Sequence, residues 1–95
     1  MHVTFHPAKN ARNIAKRGLS FELAEEINWR TALIREDTRR DYSETRLFIL
    51  AMIRNRLHAV VITPRGEDLR VISLRRASRK ERILYEECEA QPRAD

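Results

Sequence analysis

Arginine is the side chain with the greatest chemical potential in this sequence. The chain has 19 Lys and Arg residues against 14 Asp and Glu residues, which gives a formal net charge of +5 and a sequence pI near 10.1. Only Lys9, Lys16 and Lys80 are lysines, so 19 − 3 leaves 16 arginines. The planar guanidinium matches phosphate and carboxylate oxygens and stays charged at physiological pH. The excess indicates an anionic partner, although a solvated surface that keeps the chain soluble explains it equally well.

The basic residues are concentrated in two segments. Seven lie between positions 65 and 82 against three acidic residues, a net of +4, and four lie on a predicted first helix at spacings that place them on one side. Two such surfaces in a small domain are typical of phosphate contact with release of counterions. The first group is Arg65, Arg70, Arg75, Arg76, Arg79, Lys80 and Arg82, and the second is Lys9, Arg12, Lys16 and Arg17.

Metal-free RNA cleavage would need a base for the ribose 2′-hydroxyl, an acid for the leaving oxygen and positive charge on the transition state. Glu44, next to Arg46, is a candidate base, although a surface ion pair explains the same two residues. His58 is the more usual general base, but it lies in an apolar, strand-like run that favours a satisfied histidine of the core or of a sheet edge. Tyr42 and Tyr85 lie among charges, where each could stack a base or form the boundary of the core.

Other kinds of chemistry lack their usual signatures. Cys88 is the lone cysteine, and no Cys/His spacing is typical of zinc, so we expect no metal and no cofactor. Two glycines, Gly18 and Gly66, do not form a phosphate-binding loop. The longest apolar run, Leu47 to Ile53, is far shorter than the ~20 residues that cross a bilayer, and the N-terminus lacks the apolar stretch of a signal peptide. We therefore expect a cytoplasmic protein.

Helix signals lie at both ends of the sequence. Pro7 and Gly18 bound a predicted first helix of about ten residues, and Ser20 is the predicted N-cap of a second, short helix. A capping box from Ser78 to Glu81 predicts a closing helix, and we expect the tail at 89–95 to fray.

The middle of the chain predicts strands. The charged segment from Ile34 to Glu44 is typical of a short edge strand followed by a polar loop. Three apolar runs, with turns at 54–56 and 64–68, predict an antiparallel meander, in which the first run is covered on both faces. The runs are Leu47–Ile53, Leu57–Thr63 and Leu69–Leu74. We expect one domain over residues 1–95, with an ordered core of about 3–88. Its predicted class is α+β, with two N-terminal helices, a sheet of about four antiparallel strands and one C-terminal helix.

Three motifs, in order, resemble the BrnT-type toxins of bacterial type II toxin-antitoxin systems. The first is Phe5-x-Pro7-Ala8-Lys9 with Asn13 and Lys16, followed by Gly18-Leu19-Ser20-Phe21-Glu22-x-Ala24. The second is Asp37-x-Arg39-x2-Tyr42-x-Glu44-x-Arg46, and the third is Arg70-Val71-Ile72-Ser73-x-Arg75-Arg76-Ala77-Ser78-Arg79-x-Glu81-Arg82-x2-Tyr85-Glu86. The resemblance extends from about Phe5 to Glu87.

The resemblance implies a RelE-like fold and RNA cleavage that arrests translation. It also implies a BrnA-type antitoxin that neutralises the toxin, with operator DNA bound only through the complex of the two. On this basis we assign the scissile phosphate to Arg70, Arg75 and Arg76 and the base to Glu44. Strand alternation predicts Arg70 and Arg76 on one face and Arg75 on the other, so at least one of them serves antitoxin binding or structure. The predicted RNA contacts are Arg46, Arg65, Arg79 and Tyr85.

The sequence departs from the family pattern at several positions. His6 replaces an aspartate N-cap, which we expect to weaken the first helix, and Arg17 replaces a histidine, which removes a titratable group. The other departures are Ser43, Ala51 and Leu74. Two alternatives stay open: a non-catalytic module that binds an antitoxin and acts in a DNA-binding repressor complex, and a housekeeping RNA-binding domain.

Overall fold

The computed structural model describes residues 2–38 and 43–90, which form a five-stranded mixed sheet with three helices. The sheet order is β1-β5-β4-β3-β2, in which β1 is parallel to β5 and all other neighbours are antiparallel. In chain order the elements are β1 (Val3–Phe5), α1 (Pro7–Arg17), a 3-10 helix (Phe21–Glu26), β2 (Leu33–Glu36), β3 (Leu47–Ile53), β4 (Arg56–Arg65), β5 (Asp68–Arg76) and α2 (Arg79–Ala90).

The predicted α+β class, the two N-terminal helices and the closing helix are confirmed, but the predicted sheet of about four antiparallel strands is wrong, because the sheet has five strands and β1 is parallel to β5. No sequence pattern predicts β1, because its three residues are too few to show an alternation. The strand exists because Val3 and Phe5 pair with Leu69 and Val71 of β5, more than sixty positions along the chain. The second helix is a 3-10 helix, and the Oγ of Ser20 accepts the Glu22 N–H at 3.1 Å, as its N-cap.

Two apolar layers hold the sheet, one on each face. On the first face, which we call the 3-10 face, Ile49, Val60 and Leu74 are completely buried beneath the 3-10 helix. Full burial of each such side chain stabilises the fold by roughly 1.5–3 kcal/mol. On the opposite face, the α2 face, Leu50 and Ala59 pack beneath α2 in a smaller cluster. The prediction that the first apolar run is covered on both sides is therefore confirmed.

A β-bulge in β5 reverses the predicted alternation of its arginines. Val61 pairs with Ser73, but the next residue of β4 pairs with Val71, so Ile72 is an extra residue without a partner. The extra residue interrupts the period-2 alternation of β5. Residues that are an odd number of positions apart therefore lie on the same face when the bulge is between them. Arg70 and Arg75 consequently share the α2 face, whereas Arg76 lies on the 3-10 face. The prediction that Arg70 and Arg76 lie on one face is therefore wrong.

The turn between β3 and β4 carries an ion pair that anchors it. Arg54 and Asn55 have φ values of 50° and 64°, which is the left-handed backbone that a two-residue hairpin of type I′ requires. An arginine is disfavoured there by about 1–2 kcal/mol. Its guanidinium donates to both carboxylate oxygens of Glu26 at 2.9 and 2.8 Å, and thus ties the turn to the 3-10 helix.

Helix α1 is docked by asparagines and not by its apolar side. None of its residues is buried, and Ile14 is 45% exposed. Instead, the Nδ2 of Asn13 donates to the carbonyls of Leu19 and Leu74, at 2.9 Å each, and the Oδ1 of Asn10 accepts the Phe21 N–H at 2.8 Å. These side chains thus satisfy backbone groups of β5 and of the segment that follows α1: the carbonyls of Leu74 and Leu19 and the N–H of Phe21.

The departure at position 6 keeps an N-cap of a weaker kind. The Nδ1 of His6 accepts the Ala8 N–H at 3.2 Å, and the first turn of α1 carries no acidic residue. The expected loss of the cap is therefore only partial, because the imidazole supplies the acceptor but no negative charge toward the positive end of the helix dipole.

We predict that His6→Asp raises the free energy of unfolding by about 0.5–1 kcal/mol, because aspartate accepts the same bond and adds a favourable charge. In a domain of this size the melting temperature would rise by about 2–6 °C, measurable by circular dichroism near pH 7.5. The matched control is His2→Asp, whose exposed side chain precedes β1. An equal rise in both variants would show that net charge, and not capping, is responsible.

Candidate nucleic-acid interface

Three arginines form a line on the α2 face of the β4–β5 hairpin, and we call them the arginine row: Arg65, Arg70 and Arg75. Arg70 lies opposite Thr63, and Arg75 lies opposite Ala59, which is four residues before Thr63 in β4. Arg65 is two residues beyond Thr63 on the same strand and, by alternation, on the same face. With about 3.3 Å per residue, the backbone positions of the row span roughly 20 Å. This spacing suits an extended polyanion better than a single small anion.

Glu44 lies at one end of the row. Its Oε1 accepts a hydrogen bond from the Nη2 of Arg65 at 2.8 Å, with side chains 43% and 50% exposed. An ion pair this exposed adds little stability, typically less than about 1 kcal/mol, so its main effect is to orient the carboxylate. The structure thus brings together two residues, the predicted base and a predicted RNA contact, that are 21 positions apart.

Arg75, at the other end, joins the row to α2. Its Nη1 and Nη2 donate to the two carboxylate oxygens of Glu81 at 2.7 and 2.9 Å. Glu81 also accepts the Ser78 N–H at 2.8 Å, and the Oγ of Ser78 accepts the Glu81 N–H at 3.2 Å, which confirms the predicted capping box. The hydrogen bonds from Arg75, opposed by burial and aided by Ser78, lower the pKa of Glu81 to about 2. The same bonds raise the pKa of Arg75.

A groove of about 410 Å³ lies beside this end of the row. Its floor includes Phe48, and the guanidinium carbon of Arg35 lies 5.5 Å from the centre of that ring. The two residues are direct cross-strand partners on β2 and β3, so the stacked pair follows from the register. Sequence reasoning assigned Phe48 to the core and did not single out Arg35, since no local spacing relates the two. The lining residues are Arg35, Glu36, Asp37, Thr38, Phe48, Arg75 and Glu81.

Three predicted site residues lie away from the row. Arg76 is exposed on the opposite face, and its cross-strand partner in the register of β4 and β5 is His58. The hydroxyl of Tyr85 donates to the Thr31 carbonyl at 2.9 Å, and its ring packs against the apolar cluster of the α2 face, so it links α2 to the segment before β2. Arg79 is exposed in the first turn of α2.

The middle motif is only partly described. Arg46 is half-buried just before β3, and its carbonyl accepts the Asp37 N–H at 2.8 Å, which closes the loop between β2 and β3. Arg39 and Tyr42 of the same motif lie outside the described residues.

His58 is a core histidine, as the sequence pattern indicated. It is buried, and its Nδ1–H donates to the Arg56 carbonyl at 2.8 Å. Because a carbonyl only accepts, this bond fixes the proton on Nδ1.

In the described ranges, no three His, Cys, Asp or Glu side chains cluster closely enough to hold a metal ion. Neither α1 nor α2, nor the 3-10 helix, has the length and apolar character to cross a membrane.

Comparison with known proteins gives one family. The model of the ribonuclease toxin BrnT, of type II toxin-antitoxin systems, matches residues 5–81. This range includes the arginine row, Glu44 and the capping box, and it begins at Phe5, the last residue of β1. No curated protein matches the chain.

The Arg75–Glu81 pair predicts a specific acid sensitivity. Because the pKa of Glu81 is lowered from 4.5 to about 2 in the folded state, the pair's stabilisation is complete above about pH 4.5 and is lost as the pH falls toward 2. We predict that Glu81→Gln lowers the free energy of unfolding by about 1–2 kcal/mol at pH 7, allowing for the partial exposure of Arg75. The difference from the unsubstituted chain should shrink toward zero near pH 2 in urea titrations.

Glu26→Gln is the matched control, because it removes a carboxylate from a similar but solvent-exposed pair with Arg54. It should destabilise the chain less at pH 7. A stability difference for Glu81→Gln that does not change with pH would contradict the assignment.

Proposed function

This chain belongs to the BrnT family of ribonuclease toxins of type II toxin-antitoxin systems, and we propose that it cleaves RNA on the arginine row. The family implies endoribonuclease activity and an antitoxin partner. Which residues bind and cut the RNA is our proposal, and it rests on one observation: the bulge at Ile72 places Arg70 on the same face as Arg75, with Arg65 and Glu44 at the end of the line.

The reaction centre we propose lies at the Glu44 end of the row. Arg65 orients the Glu44 carboxylate, which accepts the proton of a ribose 2′-hydroxyl. The 2′-oxygen then attacks the adjacent phosphorus, and the 5′-oxygen leaves with a proton from Glu44 or from water. Thr63, the cross-strand partner of Arg70, is only two residues from Arg65, so Arg70 can reach the same phosphate and stabilise its added negative charge. No metal is needed in this scheme, because the guanidinium supplies the positive charge.

Arg75 has a different role in this proposal. Both of its terminal nitrogens are already bonded to Glu81, and its backbone is about 13 Å from the level of Arg70. It therefore contacts a neighbouring phosphate of the strand and not the scissile one. The Arg35–Phe48 pair beside it offers a flat surface on which a base can stack. Of the three arginines assigned to the scissile phosphate from sequence, we retain Arg70 there.

In the cell, we propose that the protein acts in the cytoplasm, where cleavage of RNA arrests translation. A BrnA-type antitoxin neutralises it, and operator DNA is bound only through the complex of the two proteins. Strand β2 forms an edge of the sheet and carries exposed side chains. Both this edge and the arginine row lie where a protein partner can reach them. An antitoxin that covers the row would block RNA directly.

We predict that Glu44→Gln lowers the cleavage rate by about 10²–10⁴-fold, the usual contribution of a general base. Arg70→Gln should lower kcat by about 10²–10³-fold, because it removes a charge that acts on the transition state. The measurement is cleavage of a labelled RNA by purified protein in EDTA, with the 3′ ends mapped as 2′,3′-cyclic phosphates.

The matched controls are Glu25→Gln and Arg30→Gln, which make the same charge changes at exposed positions in the 3-10 helix and in the turn that follows it. They should retain full activity. Activity that requires a divalent metal would contradict the mechanism, and activity of Glu44→Gln equal to that of Glu25→Gln would remove Glu44 from the site. RNA left intact by every form of the protein would favour the non-catalytic alternative.

We predict that expression without an antitoxin stops growth and lowers incorporation of a labelled amino acid within minutes of induction. Glu44→Gln should be harmless at the same protein level, because arrest depends on cleavage. Co-expression of the cognate antitoxin should restore growth. Equal toxicity of Glu44→Gln would show that growth arrest comes from binding and not from catalysis.

A further inference from the structure

A second groove, of about 420 Å³, lies on the other flank of α2. Residues 81, 84 and 88 of α2 line the grooves on the side of β2, whereas Arg82, Tyr85 and Glu86 line this one. The opposite wall comes from the β3–β4 turn and the end of β5. We call it the side groove, and its polar lining is Asn55, Arg56, Arg76, Arg82, Tyr85 and Glu86.

Three arginines line the side groove: Arg56, Arg76 and Arg82. In contrast with Arg54, Arg65 and Arg75, which each hold a glutamate, neither Arg56 nor Arg76 nor Arg82 has an ion pair within residues 2–38 and 43–90. Glu86 is the one acidic side chain that lines the groove. Like charges that converge on one concavity repel each other, and an anion between them removes that cost.

The chain links the side groove to the arginine row. Arg75 and Arg76 are consecutive in β5: Arg75 belongs to the row, and Arg76, at the end of the strand, lines the side groove. Between the two sites lies the first turn of α2, with exposed Arg79 and Lys80. Basic side chains therefore lie in the row, in the first turn of α2 and in the side groove, a spread that fits a phosphate chain better than a compact acidic ligand.

The side groove also offers surfaces for a nucleobase. The Tyr85 ring is fixed in position by its hydroxyl bond to Thr31, and Met52 and Leu57 add apolar walls. Asn55 contributes an amide that can donate and accept. Aromatic contact together with guanidinium groups is the usual combination in single-stranded nucleic-acid sites.

We propose that the side groove binds a phosphodiester of the same RNA strand that is cut on the arginine row, so that the substrate passes around the N-terminal end of α2. The identity of the ligand as substrate rests on the proposed function. A strand that passes a helix about 10 Å in diameter needs several nucleotides beyond the cleaved bond. The protein consequently favours long single-stranded RNA over very short oligonucleotides.

The test uses a fluorescent 2′-O-methyl RNA of about twelve nucleotides, which binds but lacks the nucleophile. The variant is the double substitution Arg56→Gln with Arg82→Gln, and the comparison variant is Arg12→Gln with Lys16→Gln, which makes the same change of charge in the basic group on α1. We expect the groove variant to bind about tenfold more weakly near 0.1 M salt, with the slope of log K against log[salt] reduced by about 1–2. The comparison variant should lose clearly less affinity, and an equal loss in the two variants would overturn the proposal.

Substrate length provides the second readout. With a cleavable RNA, the groove variant should raise KM for the long substrate and leave both kcat and the cleavage of a trinucleotide unchanged. An unchanged salt slope in the groove variant would overturn the proposal, as would loss of antitoxin neutralisation with RNA binding intact, which would assign the groove to the protein partner. Because the 2′-O-methyl RNA measures binding alone, a protein that binds it through the groove but cuts no RNA would refute catalysis and retain the groove.

Discussion

The pairing of β4 with β5 is the constraint on which the proposed RNA surface depends. Along a regular strand, Arg70 and Arg75 would point to opposite faces, because their positions differ by an odd number. The unpaired Ile72 adds one residue to β5 and restores the match between these side chains. The apolar layers then fix the register of β5 against β4. Val71 and Leu74 are both buried on the 3-10 face, and a shift of the strand by one residue would expose them. Core packing thereby decides which arginines can act together.

Charge compensation divides the arginines into two kinds. Arg54 and Arg75 each hold a glutamate through two hydrogen bonds, and each bond pair joins separate elements: a hairpin turn to the 3-10 helix, and β5 to α2. The Arg65–Glu44 contact is single and exposed, so it orients a carboxylate more than it stabilises the fold. The arginines of the side groove have no ion pair in the part of the chain that the structure describes, which leaves their guanidinium groups to an anion. Solubility alone would not produce this division.

The small size of the chain explains why polar contacts do structural work at its periphery. A domain of 95 residues builds only one modest core, burying roughly 60–65% of the surface of its unfolded chain. Helix α1 lies at the periphery of that core, and none of its residues is buried. Asn10 and Asn13 dock it by satisfying backbone groups that would otherwise lack partners. Tyr85 does the same for α2 through the Thr31 carbonyl. A residue that sequence reasoning assigned to RNA therefore serves first as a tie between elements.

The sequence by itself determined the local elements and the family. Capping at Ser20 and at Ser78 with Glu81, the end of α1 at Gly18 and the apolar run of β3 all depend on interactions within a few residues, which spacing records. Only the tertiary structure decided the pairing of β1 with β5, the reversal at Ile72, the approach of Glu44 to Arg65 and the flank of α2 on which each arginine lies. These depend on register and packing between distant segments, and no local pattern encodes which residue will lie opposite which.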